Sequence, residues 1–325
     1  MLMDESKEEQ VSWVRYYLAS AVLYGSALGI YFTLPYYGRL LNDFAREALI
    51  TFYVGYLGLS PFYYLRNKKS LSANHSYRIL SYAYGMFQAL RAGEFRRFTQ
   101  KEKVSALFLG VKFFFLPIML KFVGNHLSYF DRVWENPDKY LFYHIFISAL
   151  FFVDTAIFSV GYLFEFEKWN NKIRSVEPTF LGWFVALACY PPFNGFWGVP
   201  WGANDDRAYW DDTSTIIMRC ITGALLVIYT WASVALGPKA SNLTNRGIVT
   251  RFPYSFIRHP AYISKVAMWW ITMLPVMSVP FALGMTFWTV IYFLRALTEE
   301  RHLGMDPEYR AYCEKVRWRF IRGIY

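Results

Sequence analysis

Apolar residues along this chain come in long runs that contain no charged side chain. Residues 16–37, 48–65 and 266–294 each lack Asp, Glu, Lys and Arg. A helix needs about 20 apolar residues to cross the hydrocarbon core of a bilayer. Backbone groups in lipid must pair within their own segment, so such runs are expected to be helical. The pattern predicts an all-α, polytopic membrane helical bundle rather than a soluble domain.

We predict about eight transmembrane helices. The predicted segments are 13–37, 48–65, 104–123, 140–164, 179–198, 214–236, 261–277 and 279–297. Pro191 and Pro192 each remove a backbone donor and should break the fifth segment near its far end. Residues 77–90 have apolar side chains at helical spacing but are too short to span. This stretch is predicted to be either an interfacial helix or a helix packed on the bundle.

Basic residues are concentrated in a few loops. The net charge is +10, and loop 66–103, loop 237–259 and the C-terminal tail carry most of the excess, whereas loop 199–213 contains four Asp. Cytosolic loops of membrane proteins are enriched in Lys and Arg. We therefore predict an integral, multi-pass membrane protein with both termini cytosolic. Because 55% of the residues are hydrophobic and only 18% are charged, the charge does not indicate a nucleic-acid partner.

Cysteine and histidine give no sign of a metal site. Cys189, Cys220 and Cys313 are scattered, without the spacing of a zinc site or a disulfide framework. The acidic start of the chain lacks the basic region of a cleavable signal. We predict no metal, no disulfide and no signal peptide.

The residues best suited to binding or catalysis are concentrated in 246–312. A basic loop ends in Arg258-His259-Pro260-Ala-Tyr262, and Glu299 follows His259 by forty positions. Two membrane crossings need roughly 20 residues each. The spacing therefore predicts a C-terminal helical hairpin, which returns Arg258, His259 and Tyr262 to Glu299 and Glu300 at one membrane face.

The motifs in this stretch resemble those of a known enzyme family. The pattern Val-Thr-x-x-Pro-Tyr-x-x-x-Arg-His-Pro-x-Tyr at 249–262, the following Glu-Glu and then Tyr-x-x-Tyr-x-x-x-Val resemble the isoprenylcysteine carboxyl methyltransferase family. That family is related to phosphatidylethanolamine N-methyltransferase, and the resemblance covers about the last 80 residues. It implies an S-adenosylmethionine-dependent methyltransferase with a cytosolic cofactor pocket and a lipid or lipidated acceptor. It divides the chain into a transmembrane scaffold, 1–213, and a methyltransferase-like core, 214–325.

The resemblance and the chemistry of the side chains together predict the donor site. The predicted cofactor-binding residues are Tyr254, Arg258, His259, Pro260, Tyr262, Glu299 and Glu300. Carboxylates accept hydrogen bonds from the ammonium or ribose hydroxyls of S-adenosylmethionine, and Arg258 is the better bidentate partner for its carboxylate. The faces of the tyrosine rings suit its sulfonium cation.

The acceptor is less well determined. The resemblance suggests Arg295 as the catalytic residue that positions the acceptor. A carboxylate acceptor needs no general base, whereas an amine must be neutral to react and needs a base or desolvation. A prenylated cysteine carboxylate is the first candidate and a lipid amine the second.

Asp154, Lys112 and Arg219 fall inside predicted membrane spans, where a charged side chain is costly. Asp154 is hypothesised to pair with Arg219 or Lys112 and to help form an acceptor cavity. The alternative is a structural ion pair or a side chain that snorkels to the membrane surface.

Two other classes stay open. Phe252, Ser264 and Arg246 stand where the resembled family often has Gly, Gly and His, which would reshape the pocket. NADPH-dependent sterol reductases have a related hairpin, but with Asn before the Tyr and Gly-Asp after it, where this chain has Ala261 and Ile263-Ser264. A transporter or scaffold would use Asp154 and the Pro-Pro break, but a transporter should show symmetry between two halves, which this sequence lacks.

Overall fold

The structure is a computed structural model that describes residues 12–66, 74–196 and 208–325. Within these ranges the chain forms twelve α-helices and one pair of short strands. The helices are α1 Trp13–Thr33, α2 Pro35–Leu40, α3 Asp43–Arg66, α4 His75–Arg91, α5 Gln100–Glu135, α6 Leu141–Leu163, α7 Phe180–Leu187, α8 Phe193–Phe196, α9 Asp212–Leu236, α10 Pro260–Met273, α11 Val279–Leu303 and α12 Pro307–Lys315. The strands β1 Ser175–Val176 and β2 Thr244–Asn245 pair antiparallel.

Five of the described helices are long and apolar enough to cross a membrane. They are α3, α5, α6, α11 and α9 with its continuation to Lys239. The all-α membrane architecture is thus supported, with five candidate spans among the described residues, and the predicted count of eight is not confirmed. The first predicted segment is divided at Pro35, the first residue of α2. The fifth contains only the eight residues of α7 before the Pro191–Pro192 break, about 12 Å of helix. The seventh corresponds to the 14-residue α10.

Other boundaries also differ from the prediction. Helix α5 continues to Glu135, beyond residue 123, where the third predicted segment ends. Its end lies two positions before Pro137, and the residue before a proline disfavours helical backbone. The stretch 77–90 lies within α4, whose first turn is capped by the Asn74 side chain. Residues 1–11 of the acidic start, residues 67–73 of the basic loop 66–103 and residues 199–207 of the acidic loop 199–213 lie outside the described residues.

Contacts divide the chain into two compact units, Met1–Pro117 and Ile118–Tyr325. In the first unit, α1 packs on α3 and α4. Lys112 belongs to this unit, where its ammonium lies 4.7 Å from the centre of the Tyr24 ring and donates to the Tyr24 hydroxyl at 3.3 Å. The functional boundary predicted at 213/214 falls inside the second unit and stays a prediction.

In the second unit, α9 packs against α6 and α10, and α11 packs against α7 and α10. The buried core of this unit includes Leu226, Met268, Met273 and Trp288. Helices α10 and α11 are in antiparallel order, since Trp270 donates to the Thr289 hydroxyl at 3.0 Å while Tyr262 reaches Glu299. The start of α10 therefore lies beside the end of α11. The crossing of a membrane by both helices remains a prediction.

Gly161 permits a close approach between α6 and the turn after α9. A Cβ at this position would overlap the carbonyl oxygen of Ala240 and lie 3.2 Å from its carbonyl carbon. We expect Gly161→Ala to lower the free energy of unfolding by about 1–3 kcal/mol, because a rigid backbone must move. Thermal unfolding in detergent measures this. Gly55→Ala in α3 is the control, because nothing lies within 4 Å of a Cβ there. Equal melting temperatures for the wild type and Gly161→Ala would contradict the packing.

Candidate functional site

A cavity of about 420 Å³ lies in the second unit. Its walls come from α5, α6, α9, α10, α11 and the segments around β1, β2 and α7. The charged and imidazole side chains that line it are His126, Asp154, Glu177, Arg258, His259, Lys265, Arg295, Glu299 and His302. A concave site with a mixed apolar and polar wall of this size suits a small-molecule ligand.

The cavity brings together six of the eight residues that the sequence singled out. They are Tyr254, Arg258, His259, Tyr262, Arg295 and Glu299. The two others, Pro260 and Glu300, are not among its lining residues. Pro260 is the first residue of α10 and is buried, a position that suits proline because the missing N–H would be unpaired anyway. Its role in the structure is to start the helix.

Helix α11 presents one face to the cavity. Tyr292, Arg295, Glu299 and His302 follow one another at intervals of three or four residues, and all four line the cavity. Residues at this spacing lie on the same side of an α-helix. The next residue after Glu299 lies about 100° further round the axis, so the two adjacent glutamates must face different surroundings.

Glu299 faces the cavity and is exposed. Its Oε2 accepts a hydrogen bond of 2.6 Å from the Tyr262 hydroxyl. The Tyr262 ring in turn stacks on His259, with 5.4 Å between ring centres and 4° between planes. A carboxylate in this position has acceptor capacity left for a ligand.

Glu300 points to a cluster of cationic groups instead. Its Oε1 lies 3.0 Å from His259 Nε2 and 3.3 Å from Arg258 Nη1. Its Oε2 accepts from Arg319 Nε at 2.7 Å. We call Arg258, His259, Glu300 and Arg319 the Glu300 cluster. Its partners come from the loop before α10 and from the tail, so this carboxylate joins three segments at the edge of the cavity.

The C-terminal tail supports the loop before α10 through its backbone. The N–H groups of Arg258 and His259 donate to the carbonyls of Trp318 and Arg319, both at 2.9 Å. Burial lowers the pKa of the Arg319 guanidinium, but the Glu300 carboxylate and the Tyr325 phenol together raise it by more, so that the net shift is upward. The cation is therefore retained where the tail meets the cluster.

Tyr312 supports Tyr254 from behind. The Tyr312 hydroxyl donates to the Tyr254 carbonyl at 2.7 Å, and Tyr309, Tyr312 and Val316 form a small buried cluster against Tyr254. Burial, with a smaller contribution from the Glu299 charge, raises the pKa of the Tyr254 phenol. Tyr254 therefore presents a neutral ring to the cavity at physiological pH.

Arg295 is a buried cation on the cavity wall, 9% exposed. It donates to the Asn242 side-chain oxygen. Its guanidinium carbon lies 5.5 Å from the centre of the Tyr262 ring and 5.7 Å from that of Tyr292. No carboxylate lies within ion-pair distance of Arg295 in the part of the chain that the structure describes. Its N–H groups can therefore donate hydrogen bonds to an anionic ligand.

The hypothesised pairing of Asp154 with Arg219 or Lys112 is wrong. Asp154 accepts from the Tyr229 hydroxyl at 2.8 Å and from the Ser233 hydroxyl, both on α9. Arg219 lies instead over the ring of Tyr140, at 3.9 Å from its centre. Hydroxyl groups hold the carboxylate, and the guanidinium stacks on an aromatic face. Its Nε and Nη1 are buried and have no hydrogen-bond partner among the described residues.

Lys265 was missed by the sequence interpretation. Its ammonium lies 5.2 Å from the centre of the Tyr229 ring and 5.3 Å from that of Trp269, and it lines the cavity with Asp154. The signal was available, since Lys265 is the only charged residue between Arg258 and Arg295. Asp154, Tyr229 and Lys265 give the cavity a polar region within helices otherwise rich in apolar residues.

Within residues 12–66, 74–196 and 208–325, no three His, Cys, Asp or Glu side chains lie close enough together to hold a metal ion. Cys189, Cys220 and Cys313 are free thiols.

Comparison with known families identifies the segment that holds this site. Residues 217–306 match the family model of the phospholipid methyltransferases, a family related to the isoprenylcysteine carboxyl methyltransferases. The match contains both Arg258–Tyr262 and Glu299–Glu300, and it confirms the predicted resemblance. No curated protein and no solved structure matches the chain significantly. The family match and the apolar helices support a membrane methyltransferase.

Proposed function

We propose, from the match of residues 217–306 to a methyltransferase family, that this protein transfers a methyl group from S-adenosylmethionine to a lipidic acceptor. The observation that carries the proposal is the cavity itself. It gathers Tyr254, Arg258 and Tyr262 from the middle of the matched segment and Glu299 from near its end. These groups are separated along the chain and yet line one cavity, which favours a shared ligand.

The side chains of the cavity fit S-adenosylmethionine. When bound, this cofactor would supply an activated methyl group on a sulfonium. Glu299 has acceptor capacity for an ammonium or ribose hydroxyls, and the rings of Tyr254 and Tyr262 offer faces to a cation. The Nε of Arg258 is buried and has no hydrogen-bond partner among the described residues, which leaves one donor of this group for a ligand.

Two acceptor classes remain within the proposal, and they need different groups of the cavity. A carboxylate, such as that of a prenylated cysteine, would be held by Arg295 and needs no base. A lipid amine would lose its proton before reaction, and the Asp154 carboxylate is the group of suitable chemistry in the same cavity. We favour the carboxylate acceptor over the lipid amine, because Arg295 lies on the α11 face that also carries Glu299.

We also propose that the donor site and both termini are cytosolic. Loop 237–259 and the tail contain the basic residues Lys239, Arg251, Lys315, Arg317 and Arg322 close in sequence to the site. Lys and Arg near the ends of membrane helices favour the cytosolic side. In this arrangement the soluble donor enters from the cytosol and the lipidic acceptor from the bilayer.

Titration calorimetry of the purified protein tests the donor class. We expect S-adenosylhomocysteine to give heat and a saturable isotherm, and NADPH to give none. Heat with NADPH alone would instead support a sterol-reductase-like enzyme. Heat with neither ligand would contradict both enzymes and favour a transporter or scaffold.

Glu299→Ala should weaken S-adenosylhomocysteine binding at least about tenfold, because a hydrogen bond to a charged group contributes about 1.5–3 kcal/mol. The melting temperature should not change, since Glu299 is exposed and its described contact is Tyr262. Glu314→Ala, an exposed carboxylate on α12 outside the cavity lining, is the matched control. Equal affinities for the Glu299 variant and the control would remove Glu299 from the site.

A further inference from the structure

Glu177 is a buried carboxylate outside the family-matched segment. It follows β1, is 2% exposed and lines the cavity. Its Oε1 accepts from the Thr179 N–H at 3.0 Å, from the Thr179 hydroxyl and from Arg301 Nη2 at 2.8 Å. Its Oε2 is buried and has no hydrogen-bond partner in the residues that the structure describes. One half of this carboxylate is therefore tightly held, and the other half is left to a ligand.

Such an arrangement is costly without a ligand. Glutamate is almost never fully buried unless it is paired, and a buried acceptor without a partner loses its hydration without compensation. The neighbouring helix α7 also leaves room for this side chain, because a Cβ at Gly182 would overlap the Glu177 side chain. Gly182 lines the same cavity. The Glu177 carboxylate thus occupies space at the cavity wall that a side chain at position 182 of α7 would otherwise fill.

The position of His302 shows which end of the cavity Glu177 occupies. His302 lines the cavity on the same face of α11 as Glu299. The charges of Glu177 and Glu299 both act on the His302 imidazole, so the two carboxylates border the same end of the cavity. Two carboxylates suit a ligand group that carries several hydrogen-bond donors, such as a primary ammonium or a vicinal diol.

We infer that Glu177 is a further donor-binding residue, whose Oε2 accepts a hydrogen bond from the ammonium or the ribose hydroxyls of the bound nucleoside. The inference rests on the proposed function, because that function supplies a ligand with both groups. It extends the site into the first part of the chain, beyond the segment that matches the methyltransferase family.

Calorimetry with two ligands tests the inference. We expect Glu177→Gln to weaken S-adenosylhomocysteine binding about tenfold. The companion ligand, 5′-methylthioadenosine, keeps the ribose and lacks the amino-acid part. An equal loss with both ligands would assign Glu177 to the ribose, and a loss confined to S-adenosylhomocysteine would assign it to the ammonium. Either result supports the inference.

Arg301→Gln is the matched control, because it breaks the Arg301–Glu177 ion pair and leaves the Glu177 carboxylate in place. Unchanged affinity in Glu177→Gln would overturn the inference. So would an equal loss in both variants, which would give Glu177 a purely structural role. If Glu177→Gln does not fold, Glu177→Asp keeps the charge and withdraws the carboxylate by one methylene, and unchanged affinity in that variant overturns the inference as well. Failure of the wild type to bind S-adenosylhomocysteine is a separate result that overturns the proposed function.

Discussion

Replacement of Arg295 by glutamine should lower kcat/KM for the methyl acceptor about a hundredfold or more, while the affinity for S-adenosylhomocysteine stays within about threefold. The guanidinium is buried on the cavity wall, and the Asn242 side chain fixes its orientation. In the proposed function it holds the anionic acceptor. Orientation of the acceptor toward an activated donor is the main contribution that side chains can make to such a displacement.

The measurement is methyl transfer in vesicles, with a prenylated cysteine analogue and phosphatidylethanolamine as separate acceptors. Arg310→Gln is the matched control, because Arg310 is an exposed arginine on α12 that donates to the Gly304 carbonyl. Arg295→Lys should recover only part of the rate, because lysine keeps the charge but loses the planar fork. If Arg295→Gln weakens S-adenosylhomocysteine binding as much as it lowers the rate, Arg295 belongs to the donor site. Unchanged transfer would remove it from the reaction.

The sequence was sufficient to predict that the two ends of the C-terminal hairpin meet. The forty positions between His259 and Glu299 and the apolar run between them are local features, and they determine that the two ends of the segment meet. Tyr262 and Glu299 do meet, at 2.6 Å. The same local features identified five helices that can cross a membrane. Hydropathy does not show where a helix such as α10 stops, so the count of eight spans is not confirmed.

The roles of individual charged residues could not be obtained in this way. Glu299 and Glu300 are identical in type and adjacent, and only their partners distinguish them. One partner, Arg319, lies in the tail, 19 positions from Glu300. Similarly, the partners of Asp154 are hydroxyls on α9, and a list of charged residues does not include them. Glu177 carried no motif at all, and its proposed role rests on its burial and on an oxygen that has no hydrogen-bond partner among the described residues.

Removal of the Glu300 carboxylate should destabilise the protein by about 3 kcal/mol or more. Glu300 is 8% exposed and is the shared partner of Arg258, His259 and Arg319. Breaking a buried pair by removing one partner costs about 3–5 kcal/mol, because the other charge stays buried without compensation. In Glu300→Gln the guanidinium groups of Arg258 and Arg319 would face each other without a counter-charge. We therefore expect a lower melting temperature and faster proteolysis of the tail.

The comparison with Glu299→Ala makes this prediction specific. The Glu299 variant should lose S-adenosylhomocysteine affinity and keep its melting temperature, whereas Glu300→Gln should lose stability first. A Glu300 variant with an unchanged melting temperature and a tenfold loss of affinity would show that Glu300 binds the donor directly.

Adding Arg319→Gln to Glu300→Gln should recover part of the stability, because the second change removes a cation that the first left unpaired. The two single variants and the double variant form a cycle, and residues in contact show coupling of about 0.5–3 kcal/mol. Strictly additive losses would mean that the tail does not depend on Glu300. Coupling would instead show that a single carboxylate on α11 joins the tail to the loop that presents Arg258 and His259 to the cavity.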